Sequence, residues 1–321
     1  MFSQNLIETA ALAVSFSLTF PVAMQADAAA VGTASTIMKD GRLALTEQIQ
    51  FVEDTGAANR IVAGDLLRTL SQEIPAAVCH LHNNVDVAEA TELLSTSIAK
   101  FDAVSLALLN GNEAMGIVGG EQRYKTVVEL EALIETWEPK REAAMKILAD
   151  ATDAEAAQIV YDSADEMLEK TYHLLSELEG EYANPVELLA SDMMLLEVSG
   201  RMAAMTQRMA YEACRVWSGD GDAHALAELD ESISIFEASM DALSNGMPSL
   251  GVAAPPTPEI AANLEAVASD WEILSDYLAE VRSGADVGLE VREDLYHRLA
   301  LKLYKVEELE VLYQDYSKRV Y

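Results

Sequence analysis

Apolar positions recur every three or four residues along almost the whole chain, with polar residues between them. Leu67, Leu70, Ile74, Val78 and Leu81 step by 3, 4, 4 and 3, the seam of a helix packed on a partner. Met202, Met205, Met209, Ala213 and Val216 repeat those steps further along. Glycine and proline are scarce and no strand-like alternation competes, so the expected fold is all-α. Asn83-Asn84 and Ser218-Gly219-Asp220-Gly221 end the two seams. After them the periodicity predicts second helices over 86–110 and 222–244, both stopped by Asn-Gly, and third helices over 122–149 and 257–282. Fourth helices are predicted over 153–182 and 287–319.

These matches share an offset of 135 residues. Leu70-Ser71-Gln72 falls on Met205-Thr206-Gln207, Cys79 on Cys214, Phe101 on Phe236 and Gly116 on Gly251, with Trp137 meeting Trp271 after a one-residue slip. A period this long is a small domain written twice. Short loops between four helices favour up-down order, so the expectation is two tandem antiparallel four-helix bundles with long first helices. The expected divisions are a signal segment over 1–30, a first bundle over 31–182 and a second over 183–321. Residues 33–56 are expected to extend or cap the first helix.

Charge and targeting narrow the function. The 321 residues carry 54 acidic against 21 basic side chains, a net charge of −33, which repels nucleic acid and anionic lipid. Residues 8–23 are mostly apolar and Ala26-Asp27-Ala28 follows as a small-x-small pattern, so the start reads as a secretory signal, with N-terminal anchoring as the alternative. No later stretch approaches 18 apolar residues, so no membrane span is expected in the mature chain. Two cysteines make neither a disulfide scaffold nor a cysteine-rich metal site. His80 and His82 diverge on a helix, and the methionines of the second seam read as core, so no metal is expected. Trp137 and Trp271 are expected to pack between helices. No nucleophile–base arrangement, phosphate loop or haem motif is present, so neither an enzyme nor a cofactor is expected.

The first seam opens on Arg60-Ile61-Val62-Ala63-Gly64-Asp65-Leu66-Leu67-Arg68-Thr69-Leu70-Ser71-Gln72-Glu73-Ile74. This resembles the signature helix of PilJ/NarX-type sensory domains, close to I-N-x-A-G-K/R-L-R-M-L-S-Q-R-I/M. Val198-Ser199-Gly200-Arg201-Met202-Ala203-Ala204-Met205-Thr206-Gln207-Arg208-Met209 matches it without a gap, whereas the first copy needs one extra residue between Gly64 and Leu67. The resemblance implies periplasmic sensing by four-helix bundles related to chemotaxis transducers. In nitrate and nitrite sensors of that type, the arginine of L-R-M holds the anion at a two-fold interface between paired first helices. A guanidinium suits the task because its fixed donors match a planar oxyanion. The matching residue is Arg68 in the first copy and Ala203 in the second, and Glu73 stands where the second copy keeps Arg208.

Helical spacing puts Arg68, Gln72, Pro75 and Cys79 on one stripe, and Ala203, Gln207, Ala210 and Cys214 on its counterpart. The stripes either face each other about a pseudo-two-fold axis or form ordinary bundle flanks. The candidate ligand residues are Arg68, Gln72, Gln207, Arg201 and Arg208. On this reading Arg68 fills no core position, so Arg68→Ala is expected to remove oxyanion binding and spare the fold. Pairing of Cys79 with Cys214 is one outcome of the facing arrangement, and two separate buried thiols are the other. The function expected is sensing of a small molecule or oxyanion, signalled through a membrane receptor, histidine kinase or transporter. The alternative is an interaction or structural protein that kept the bundle and lost ligand binding.

Overall fold

The computed structural model describes residues 30–39, 42–51, 56–182, 188–219, 223–284, 286–301 and 304–318. Residues 8–23 and Ala26-Asp27-Ala28 lie outside the described residues. The chain divides into two units between Glu53 and Asp54. In the first, strands β1 (Ala30–Lys39) and β2 (Arg42–Phe51) pair antiparallel, from Lys39 opposite Arg42 to Ala30 opposite Phe51. This corrects the expectation that 33–56 extends or caps the first helix. The overlooked signal is Asp40-Gly41 between the two runs, a dipeptide favoured in two-residue hairpins. Leu43, Leu45, Ile49 and Phe51 also alternate, at period two.

The second unit is all-α. The first copy contains α1 (Ala57–His82), α2 (Val87–Asn110), α3 (Tyr124–Ala149), α4 (Ala154–Asp162) and α5 (Ala164–Tyr182). The second contains α6 (Ala190–Ser218), α7 (Ala223–Asn245), α8 (Pro258–Arg282), α9 (Leu289–Tyr296) and α10 (Tyr304–Ser317). Each predicted fourth helix is interrupted. Ser163 separates α4 from α5, its hydroxyl donating back to the carbonyls of Ile159 and Val160, and a π turn at His297–Leu301 follows α9. The two interruptions stand at matching places in the copies. Neither interruption disturbs the spacing of apolar positions, so a count of those positions does not register it.

The repeat extends to fine geometry. Asn112 bridges to Ile117 and Met247 to Val252, each pair flanking a single 3-10 turn. Those turns end on Gly116 and Gly251 at φ 67° and 79°, a left-handed conformation that costs an L side chain about 1 kcal/mol or more. Phe101 meets Trp137 and Phe236 meets Trp271 with ring centroids 4.5 Å apart in both copies. Each indole also finds a carboxylate, Asp102 at 2.7 Å and Glu237 at 3.2 Å.

The bundles meet through their first helices. α1 packs against α2 and α5 of its own copy and against α6 of the other. Only Asn59, Val62, Leu66 and His82 of α1 are not buried. Contacts across the seam pair Arg68 with Glu197, Glu73 with Gln207 and Cys79 with Cys214, rising together along both helices. The two helices therefore run parallel, with equivalent positions opposed, as a pseudo-two-fold axis along the seam requires. Among the described residues, no helix is long and apolar enough to cross a membrane.

Candidate functional site

The first half of the seam holds a charge cluster. Arg68 is fully buried. Its Nη2 donates to the Asp65 carboxylate and, at 3.1 Å, to the Glu197 carbonyl, while Nη1 donates to Glu197 Oε1 at 3.3 Å. The guanidinium also lies over the Tyr172 ring, 5.1 Å from its centre. Arg201, one turn beyond Glu197 on α6, donates to the same Oε1 from Nη2 at 2.6 Å and from Nε at 3.1 Å. One carboxylate oxygen thus sits between two guanidiniums, one from each copy. This is the chemistry of an oxyanion site, with the anion supplied by the chain.

Gly200 makes room for the cluster, because a Cβ there would collide with the Asp65 carboxylate. Asp65 and Gly200 are themselves 135 residues apart, so the structure pairs the copies here without the extra residue that motif matching requires. Gly64 serves another purpose. A Cβ on it would press on Leu175 and Leu178, so its absence lets α5 approach α1. Burial pushes the Asp65 carboxyl upward while Arg68 pulls it back. Burial, then the neighbouring Glu197, lifts Glu179 to about 7. Glu310 on α10 is raised well above its ordinary value by burial and by Asp65.

The middle of the seam is carried by Glu73, which accepts the Ser97 hydroxyl from α2 on one oxygen and the Gln207 amide from α6 at 3.2 Å on the other. Burial raises Glu73 to about 7, against the Ser97 hydrogen bond and Lys100. At the far end Cys79 and Cys214 form a disulfide with Cα atoms 6.2 Å apart. Asn83 Nδ2 lies 3.6 and 3.9 Å from the two sulfurs. His80 stacks on Tyr296 at 3.7 Å and meets Trp217 edge-on at 5.5 Å. Burial lowers His80 to about 3, which keeps the ring neutral with Nδ1 on the Ala76 carbonyl.

The expected ligand residues do not gather at one point. Arg68 and Arg201 converge on Glu197. Gln72 turns back into its own bundle, donating to the Ala164 carbonyl at the start of α5. Gln207 is engaged by Glu73 further along, and Arg208 spans Asp165 and Glu228 at 3.0 Å each. Arg68 is also one of the largest fully buried side chains, which corrects the expectation that it fills no core position. Asp65, Glu197 and the seam role of Glu73 escaped sequence reading. The available signal was an acid at 65 set against glycine at its counterpart, 200.

His82 and one acidic grouping find partners within the fold. His82 Nδ1 bonds the Ala151 carbonyl at 2.7 Å, pointing away from His80. The grouping of Asp165, His224 and Glu228 is already bridged by Arg208. Under each tryptophan, at the break of the fourth helix, lies a pocket of about 10 Å³ in the first copy and about 30 Å³ in the second, space for water only.

No curated protein matches the chain. One family matches it twice, over residues 56–161 and 189–293, and its bounds begin with the paired first helices and take in both tryptophans. With both copies of its helical body matched, the chain belongs to the PilJ family, the type IV pili methyl-accepting chemotaxis transducer N-terminal domain.

Proposed function

We propose that this protein is an exported sensory-type module in which one chain does the work of a domain pair, signalling through a partner protein rather than by capturing an oxyanion at Arg68. The observation that carries this reading is the Glu197 carboxylate held between Arg68 and Arg201. An incoming anion would have to displace that carboxylate from Arg68 and sit beside the Asp65 carboxylate that the same guanidinium already holds. Ala203 removes the second arginine that a symmetric site would use. The paired first helices remain as a joint between two bundles, whose relative position a receptor, kinase or transporter can read.

A second reading, oxyanion binding by displacement of Glu197, is favoured by Arg201, whose side chain is 40% exposed and opens the cluster to solvent. Thermal melts with nitrate, nitrite and small organic acids separate the two. Ligand at 100 times its dissociation constant adds about 2.7 kcal/mol, so a working site is visible. The wild type is expected to show no shift. Glu197→Ala is expected to gain a nitrate-dependent rise that Glu197→Ala/Arg68→Ala loses. A nitrate-dependent rise in the wild type establishes the second reading instead.

A further inference from the structure

Resting on the reading that the arginine site is filled by the chain itself, we infer that the ligand of this seam is the proton: the cluster around Arg68 takes up protons, and its charge state sets how tightly the two bundles close. The argument begins with a count of charges. Asp65 from α1, Glu179 from α5, Glu197 from α6 and Glu310 from α10 are four carboxylates around two guanidiniums, Arg68 and Arg201. Tyr172 and Glu307 are the other titratable groups that act on the cluster, and neither adds a positive charge. Among the described residues, two of these carboxylates are therefore left without a cation of their own.

Asp65 and Glu197 take the guanidinium hydrogen bonds. Glu179 and Glu310 remain, and each has an Oε1 shut off from solvent with no hydrogen-bond partner. A carboxylate in that position is penalised twice, by lost hydration and by the neighbouring negative charges, and a proton removes both penalties. The upward shifts of both groups follow from the same two causes.

The location gives the proton a mechanical role. Glu179 stands on a first-copy helix and Glu310 on a second-copy helix, so ionising them places like charges on either side of the seam. At the other end the Cys79–Cys214 disulfide fixes the separation. Deprotonation therefore loosens the charged end about a tethered one. Both groups are raised, so the closed state is favoured at low pH and loses stability as pH rises, the share of Glu179 being lost through about 7. Arg201, partly exposed, borders the cluster on its solvent side.

Hydrogen exchange by mass spectrometry tests this on wild type and on Glu179→Gln/Glu310→Gln, which mimics the protonated pair. Comparison of the two proteins at each pH from 6.0 to 8.5 cancels intrinsic exchange chemistry. Protection of peptides from 57–72 and 190–205 should fall about tenfold in the wild type relative to the variant by pH 8.5, with α3 peptides unchanged. A ratio that stays constant with pH overturns the proposal. Circular dichroism at pH 6 checks that the variant folds, and Glu179→Gln alone supplies the comparison if the double variant does not. Nitrate added to the same samples reads the underlying proposal separately: protection of wild type by nitrate defeats the self-filled site, whatever the pH ratio does.

Discussion

The two ends of the α1–α6 seam join the same pair of helices by different means. At the Cys79 end, identical residues meet across the pseudo-two-fold axis in a covalent bond, with Asn83 Nδ2 beside both sulfurs. At the Arg68 end the copies have diverged: Asp65 faces Gly200, Arg68 has Ala203 as its counterpart, and Glu197 matches Val62. Symmetry is kept where the seam is tethered and lost where it is charged. The asymmetry is what lets one copy supply an anion to the other.

Breaking the charged end should cost most. Arg68→Ala leaves Asp65 buried without its cation, a loss of about 3–5 kcal/mol. That should appear as a large fall in midpoint in urea, greatest at alkaline pH. Opening the tethered end through Cys79→Ser/Cys214→Ser removes the cross-link and should cost about 2–4 kcal/mol. The difference in melting temperature between oxidised and reduced wild type isolates the contribution of the bond, and the variant should melt with the reduced protein. Gly200→Ala adds a methyl against the Asp65 carboxylate and should cost about 1–3 kcal/mol. Asp65→Ala in the same background should recover part of that, a coupling readable in a double-mutant cycle.

The smallest effect sharpens the middle of the seam. Glu73 is raised to about 7 in the folded chain, so its contribution is complete below the ordinary carboxylate range and is lost as pH rises through about 7. Glu73→Gln should therefore flatten the pH dependence of stability between about pH 4.5 and 7. Little effect is expected near pH 4. Equal pH slopes in wild type and variant would remove Glu73 from the account.

The helical body was legible because periodicity and the 135-residue offset report burial directly. Leu67, Leu70 and Ile74 lie in the core as their spacing requires, and Met202, Met205 and Met209 do the same in the second copy. The hairpin is signalled only by Asp40-Gly41 and a short period-two run, which the helical periodicity of the rest of the chain outweighs. The breaks of the fourth helices fall at Ser163 and at a π turn over His297–Leu301, and neither interrupts an apolar pattern. At the site, the resemblance pointed to Arg68 but not to its partner. Glu197 lies 129 residues from Arg68 in the chain, outside the signature, and only the parallel packing of α1 on α6 brings the two together. Gln72 shows the converse: its spacing put it on the stripe with Arg68, yet its amide bonds the Ala164 carbonyl of α5 in its own bundle.

The central claim is that α1 and α6 lie parallel and in register, so that equivalent residues oppose each other across the seam. Non-reducing peptide mapping of protein purified without reductant, with thiols counted after denaturation, tests it most directly. The account predicts a single linked pair of peptides carrying Cys79 and Cys214 and no free thiol. Two free thiols per chain, with no linked peptide, would contradict the facing arrangement of the first helices.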